Sequence, residues 1–467
     1  MRSALFVHFA LFGVVGAQWL ARLPSVRATL GLDALELGGL LTLGGLGTLA
    51  SVLMTGGLVT RFGARRVLVA GTLTSAAGLG VVALGLATTS VVTLVVGLVL
   101  NGVSGAFINI PINVAGTAVE RRLGRTVLPH FHATFSVGAA LGTLVAAGFS
   151  WGHVAVEVQL VVVVAAVTVL RLATLRAATA TTEPDAPAAL DDASAPADAV
   201  RAAAGASAVD DVVTSDVPAP DRPASDVPVA DGPAPDGLAP DGPAPRAAGT
   251  TPRPVAPRAA GFRTALGAWA EPRTLLLGLV LLASSLSEGS AGTWLSIAVT
   301  DGFATREAVG AVAYGTFVAA MTVVRFLGTG LVDRFGRVAV VRSSGVSAFV
   351  GLALFALAPS LATAWVGIVL WGVGAALVNP MAISAASDEP LHAAARVSVA
   401  TSFSTVAMLT APPVLGALVD GLGARHALGL ITVATVLSMS LAGQLRPRGP
   451  SSTSPSSSPS PSSPTTD

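Results

Sequence analysis

Apolar residues in this chain do not alternate with polar ones at the short periods of soluble helices or strands. They run in twelve stretches of roughly twenty, divided by short polar turns. The first six fall near 4–21, 35–59, 67–87, 91–118, 128–150 and 154–175, and the second six near 274–298, 308–332, 338–358, 362–386, 397–419 and 426–445. A helix rises about 1.5 Å per residue, so each stretch is long enough to cross the roughly 30 Å hydrocarbon layer of a bilayer. Few carry an internal charge, and all contain Gly or other small residues that let helices approach closely. The first stretch is longer than the apolar part of a signal peptide, and no small-x-small cleavage site precedes Arg22-Leu23-Pro24, so it counts as a span. The pattern predicts an all-α membrane protein whose twelve transmembrane helices form two pseudo-symmetric six-helix bundles.

Two segments break the pattern. Residues 177–262 lack apolar periodicity, are dense in Ala, Pro, Asp and Gly, and hold 13 acidic residues against five arginines, a net charge of −8. Such a segment buries too little apolar surface to offset its chain entropy, which predicts a disordered acidic linker. The tail at 447–467, nearly all Ser, Pro and Thr, reads the same way. This leaves an N-terminal bundle at 1–176 and a C-terminal bundle at 263–446, and the stretch 271–446 matches the first block in length, as duplication would produce.

Composition narrows the function class. With 52% hydrophobic residues, 11% charged and a mean hydropathy of +0.73, the chain departs from soluble domains, which carry about 25% charged residues. The absence of Cys excludes a disulfide framework, a thiolate metal site and a cysteine nucleophile. No phosphate-binding Gly-rich loop ending in Lys and no metal-ligand spacing occurs, so an enzyme, a cofactor and a metal centre are not expected. Every basic residue is Arg. Outside the linker, placing the N-terminus in the cytoplasm puts 17 arginines at inner-facing ends, among them Arg61, Arg65, Arg171 and Arg337. Only Arg22, Arg27, Arg306 and Arg425 then face outward. That asymmetry predicts a multi-pass inner (plasma) membrane protein, with both termini and the linker cytoplasmic. The arginines follow this topogenic rule and do not form a nucleic-acid surface.

The two blocks repeat one another. Gly57-Leu58-Val59-Thr60-Arg61-Phe62-Gly63 after the second stretch matches Gly330-Leu331-Val332-Asp333-Arg334-Phe335-Gly336 after the eighth. Phe135-Ser136 echoes Phe403-Ser404, and Asn109 with Pro111 approximates Asn379-Pro380. Parallel six-helix halves are an architecture of transporters that rock one half against the other around a midplane site. With these motifs the sequence resembles the major facilitator superfamily, whose signature loop is similar to Gly330-x-x-Asp333-Arg334-x-Gly336-Arg337. Arg22-Leu23-Pro24, Phe131-His132-Ala133-Thr134-Phe135-Ser136, Glu288-Gly289 with Trp294, and Arg325 are similar to a mostly uncharacterised bacterial branch related to fucose-type sugar permeases. The resemblance implies conformational gating by Arg61, Arg65, Arg325, Asp333, Arg334 and Arg337. Thr60 stands where the superfamily usually has Asp, so the first loop lacks that charge. The branch commonly carries an acidic residue near Asn109. Gly138-x-x-x-Gly142 lacks the Gly-Pro pair of similar drug-proton antiporters.

Ionisable groups inside spans are costly and therefore informative. Glu288 lies deep in the seventh stretch among Ser284, Ser285, Ser287, Gly289, Ser290 and Gly292, a composition suited to a broken helix lining a cavity. It is expected to bind cargo or exchange a proton; the opposing expectation is a structural pair with an Arg on a neighbouring helix. Arg325 is suited to clasp a carboxylate or sugar hydroxyls, or alternatively to reach the interface or the signature loop. His132 is a candidate for proton handling or for a cytoplasmic gate contact. Gln18, Asn101, Asn109, Asn113 and Asn379 offer paired donors and acceptors to hydroxyl-rich ligands, and Trp19 and Trp294 offer faces for stacking on sugars. Helix-to-helix bonding competes with that role for each Asn, and interfacial anchoring competes for Trp294 and is favoured for Trp151.

The sequence thus reads as a monomeric secondary transporter that moves a small polar solute, a sugar or polyol, by alternating access, with protons as the coupling ion. A drug or metabolite exporter of the same superfamily is one alternative. A non-transporting membrane sensor with the linker as its output segment is another.

Overall fold

A computed structural model describes residues 2–123, 127–180, 267–389 and 393–447 of the chain. The predicted linker lies almost wholly outside the described residues, as does nearly all of the tail. Among the described residues there is no strand, and twelve helices are long and apolar enough to cross a membrane. Spans 1 to 6 are Ser3–Leu20, Ala34–Phe62, Ala64–Ala87, Val91–Leu123, His130–Trp151 and Val156–Thr179. Spans 7 to 12 are Pro272–Gly302, Glu307–Gly328, Arg337–Ala356, Leu361–Ala386, Ala395–Leu422 and Ala424–Leu445. An extra short helix, Leu23–Leu30, follows span 1 and closes on Gly31 in the left-handed conformation. With an even number of crossings per half, residues 2, 179, 272 and 445 share one face, here called the terminal face.

The repeat seen in the sequence has a backbone counterpart. Gly63 and Gly336, at the same place in the two loops, have φ of 82° and 76°, where a side chain would be strained. Each lets one long helix turn directly into the next.

The halves pack tightly because small residues face backbone. A Cβ on Gly138 of span 5 would strike the carbonyl of Ala10 in span 1, and one on Gly38 of span 2 would strike the carbonyl of Pro412 in span 11. The second of these contacts joins the two halves. Aromatic groups fill each half: Phe9 stacks on Phe131 at 5.4 Å, and Phe317 meets Trp371 edge-on at 5.1 Å.

One expectation is corrected. The Ser-rich part of span 7 is not broken, since Pro272–Gly302 is one continuous helix. Two hydroxyls there turn back on their own helix: Ser290 Oγ donates to the Leu286 carbonyl at 2.5 Å and Thr293 Oγ1 to the Gly289 carbonyl at 3.0 Å. The break lies in span 10, between Leu361–Ala375 and Val378–Ala386. Pro380 has no N–H for the carbonyl four residues earlier, which belongs to Ala376, and the helix opens there.

Candidate functional site

Between the halves lies a cavity of about 440 Å³. Spans 1, 2, 4 and 5 line it from one half and spans 7, 8, 10 and 11 from the other, while spans 3, 6, 9 and 12 stand outside it. Trp19, Asn101, Glu288, Tyr314, Arg325 and Asn379 give it its polar and aromatic character.

The polar centre belongs to the C-terminal half. Glu288 lies near the middle of span 7, about 24 Å from Pro272 and about 21 Å from Gly302 along the axis. Arg325 Nη2 lies 3.3 Å from Glu288 Oε1 and 3.4 Å from Oε2, and Asn379 Nδ2 donates to Oε2 at 3.4 Å. Arg325 Nε donates to the Ala376 carbonyl at 3.1 Å, the group released by Pro380. Beside them, Trp371 Nε1 donates to Ser287 Oγ at 2.8 Å. Spans 8 and 10 thus hold the span 7 carboxylate in bonds that are all long, and removing one partner of such a buried pair costs about 3–5 kcal/mol.

The other expected site residues scatter. Trp19 and Asn101 line the cavity, but Gln18 faces the other way, its Oε1 accepting from Gln159 Nε2 at 2.7 Å. Residues one apart on a helix point about 100° apart, so Gln18 and Trp19 do not share a face. Asn113 Nδ2 donates to Asn109 at both the carbonyl (2.9 Å) and Oδ1 (2.7 Å), tying one turn of span 4 to the next. Asn109 lines a smaller side chamber. Trp294 is fully buried and outside the cavity lining. His132 is buried edge-on against Phe9 at 5.4 Å, also outside the lining. Trp151 is exposed, with Arg306 over its ring at 5.7 Å.

Of the signature-loop residues, Arg61 lies over Phe62 and Arg334 over Phe335, both at 5.3 Å, a second trace of the repeat. Asp333 is exposed and Arg65 partly buried. Arg337 Nη1 bonds Asp388 Oδ1 at 2.6 Å, within its own half.

Sequence reasoning missed a seal on the face opposite the termini. Glu307, at the start of span 8, meets Arg22 Nε at 2.9 Å and accepts from the Ser25 backbone N–H and from Ser150 Oγ, each at 2.9 Å. Arg22 also donates to Gln159 Oε1 at 2.7 Å and to the Val154 carbonyl at 3.0 Å. Burial lowers the pKa of the Arg22 guanidinium, an effect opposed by the Glu307 and Glu157 carboxylates. Asp420 accepts from the backbone N–H groups of Ala34 at 3.2 Å and Leu35 at 3.4 Å, so the C-terminal half caps a helix of the N-terminal one. Arg27 pairs with Asp301 at 3.0 Å. In the sequence Arg22 stands out only within the Arg22-Leu23-Pro24 motif and the others are ordinary loop-edge charges, so their pairing across the halves is not legible there.

Arg171 also departs from expectation. Counted among inner-facing topogenic arginines, it is instead 1% exposed within the bundle.

Comparison with known proteins matches residues 4–399 to the family model described as Major Facilitator Superfamily. The uncharacterised transporter y4wD of Sinorhizobium fredii is 30% identical over 417 residues, covering 88% of this chain and 89% of the relative. Membrane protein MosC of Rhizobium meliloti is 24% identical over 181 residues, 38% of this chain and 44% of the relative. Among solved structures, the nucleoside transporter NupG has a TM-score of 0.65 at 14% identity, covering 95% of this chain and 99% of that one. A single-residue variant of the Escherichia coli fucose:proton symporter FucP has a TM-score of 0.57 at 12% identity, covering 95% and 98%. These two structures share the fold.

Proposed function

The chain belongs to the Major Facilitator Superfamily, and from that premise we propose that it carries a small polar solute, a sugar or polyol, into the cell by alternating access driven by protons. The observation that carries the reading is the Glu288–Arg325–Asn379 cluster, held at mid-membrane in a cavity that both halves line. Asn101 and Asn379 face each other's halves with amide donors and acceptors for hydroxyl groups, and Trp19 offers an aromatic face.

With both termini cytoplasmic, the sealed face is the outer one, and the present arrangement is a member of the cycle closed to the outside. Rocking the halves would part Arg22 from Glu307 and Asp420 from Ala34 and Leu35, opening the cavity outward. A proton on Glu288 removes the charge that holds Arg325 Nη2, so cargo and proton compete with Arg325 for one carboxylate. The fucose:proton symporter among the structural neighbours is a precedent for such coupling on this fold.

The test is solute uptake into vesicles bearing the purified protein, with and without an inward proton gradient. Glu288→Gln should abolish gradient-driven accumulation while leaving counterflow exchange. Wild-type accumulation by that variant would overturn the coupling role.

A further inference from the structure

The buried Arg171 has no counterpart in the cycle above. Its Nε and Nη2 are shielded from solvent and have no hydrogen-bond partner among the described residues, in a side chain that is 1% exposed. It sits in span 6, about 22 Å along the axis from Val156 and about 12 Å from Thr179. A guanidinium keeps its charge in proteins, and buried polar groups are almost always satisfied, so one left bare inside a bundle calls for a partner.

The guanidinium borders the side chamber, a space of about 240 Å³. That chamber adjoins the main cavity: Gly16, Thr48, Val52, Asn101, Gly102 and Phe135 line both. Among the described residues, the charges lining the two spaces are Glu288, Arg325 and Arg171, two guanidiniums against one carboxylate. An excess of +1 in a low-dielectric space is neutralised by one negative charge on whatever enters it. Ser75, Ser104 and Asn109 supply neutral polar groups beside Arg171 in the chamber.

We propose that Arg171 is the anion subsite for the cargo, which is a polyhydroxy monocarboxylate, a sugar acid: its carboxylate enters the side chamber against Arg171 and its hydroxyl-bearing body lies in the main cavity. The planar fork of a guanidinium matches a carboxylate with two parallel bonds. This rests on the transport reading only for the word cargo, and within it replaces the neutral sugar or polyol by a sugar acid; the subsite itself is a statement about binding.

The test uses the full chain in detergent at fixed ionic strength, with Tm followed against sorbitol, glucosamine, gluconate, galacturonate and formate. Gluconate or galacturonate should raise Tm with concentration, formate should do so weakly, and sorbitol and glucosamine should not. Arg171→Gln should raise the half-saturating concentration roughly tenfold or more, and Arg171→Lys, which keeps the charge but loses the fork, by less. Stabilisation by sorbitol equal to that by gluconate, an unchanged gluconate response in Arg171→Gln, or no response to any monoanion would overturn the subsite. If Arg171→Gln does not purify as a single species, the wild-type panel and the Lys variant decide. Counterflow in vesicles separates the two readings. Anion binding without exchange of any solute removes transport and leaves the subsite, whereas sorbitol exchange untouched by Arg171→Gln removes the subsite and leaves transport.

Discussion

The two faces of the protein use the same residue types in opposite ways. On the sealed face, the described ion pairs cross between halves, Arg22 to Glu307 and Arg27 to Asp301, and Asp420 reaches across to the backbone of Ala34 and Leu35. On the terminal face, they cross-link one half to itself. Asp388 holds Arg273 at 3.1 Å and Arg337 at 2.6 Å, while Arg396 holds Glu271 at 2.6 Å and Glu389 at 2.8 Å. Bonds inside a half survive a rocking motion, whereas bonds between halves exist in one state only. The first kind sets rigidity and the second sets the balance between states.

Because the chain has no Cys, single cysteines can report that balance without background. Thr42→Cys, placed under the seal where Thr42 Oγ1 donates to the Leu409 carbonyl at 3.1 Å, is a suitable reporter for labelling by an impermeant thiol reagent. The largest effect is expected from Glu307→Ala, which strands Arg22 in a buried site at a cost of about 3–5 kcal/mol to the sealed state. Labelling should rise more than roughly tenfold, and unchanged labelling in folded protein would mean that Arg22 does not hold the seal. Asp388→Asn should sharpen the contrast. It weakens two arginine contacts, about 1–3 kcal/mol of stability in the C-terminal half, so Tm should fall while labelling at position 42 stays the same. Asp420→Asn should shift labelling modestly, since a charged cap is worth about 0.5–2 kcal/mol and the amide keeps part of it. Arg27→Gln should have the smallest effect, under about 1 kcal/mol, because Asp301 is half exposed and the pair is screened by salt.

The spans and the repeat were legible because bilayer thickness imposes one length on every crossing helix, and that length survives without any knowledge of partners. The resemblance to the superfamily was equally legible in the paired loops at Arg61 and Arg334. The interior was less so. Serines and glycines around Glu288 suggested a break, yet span 7 runs on as one helix to which Ser290 returns its hydroxyl, while a single proline at 380 opens span 10. Gln18 and Trp19 were both expected at the cargo site, although helical rotation sends one toward span 6 and the other into the cavity. The arginine count that oriented the chain placed Arg171 at an inner-facing helix end, because charge tallies carry no information on side-chain direction. A pairing of Glu288 with an arginine on a neighbouring helix was open from the sequence, but which arginine was not; the contact across spans 7 and 8 identifies it as Arg325.

Pro380 acts on a helix other than its own. By denying the Ala376 carbonyl its usual donor, it provides a fixed mooring for Arg325 Nε, so that losing Glu288 as a counter-charge frees only one arm of the guanidinium. The arginine then pivots in place and does not drift out of the cleft. A Pro380→Ala substitution, which returns the amide hydrogen to span 10, would cast that mooring off.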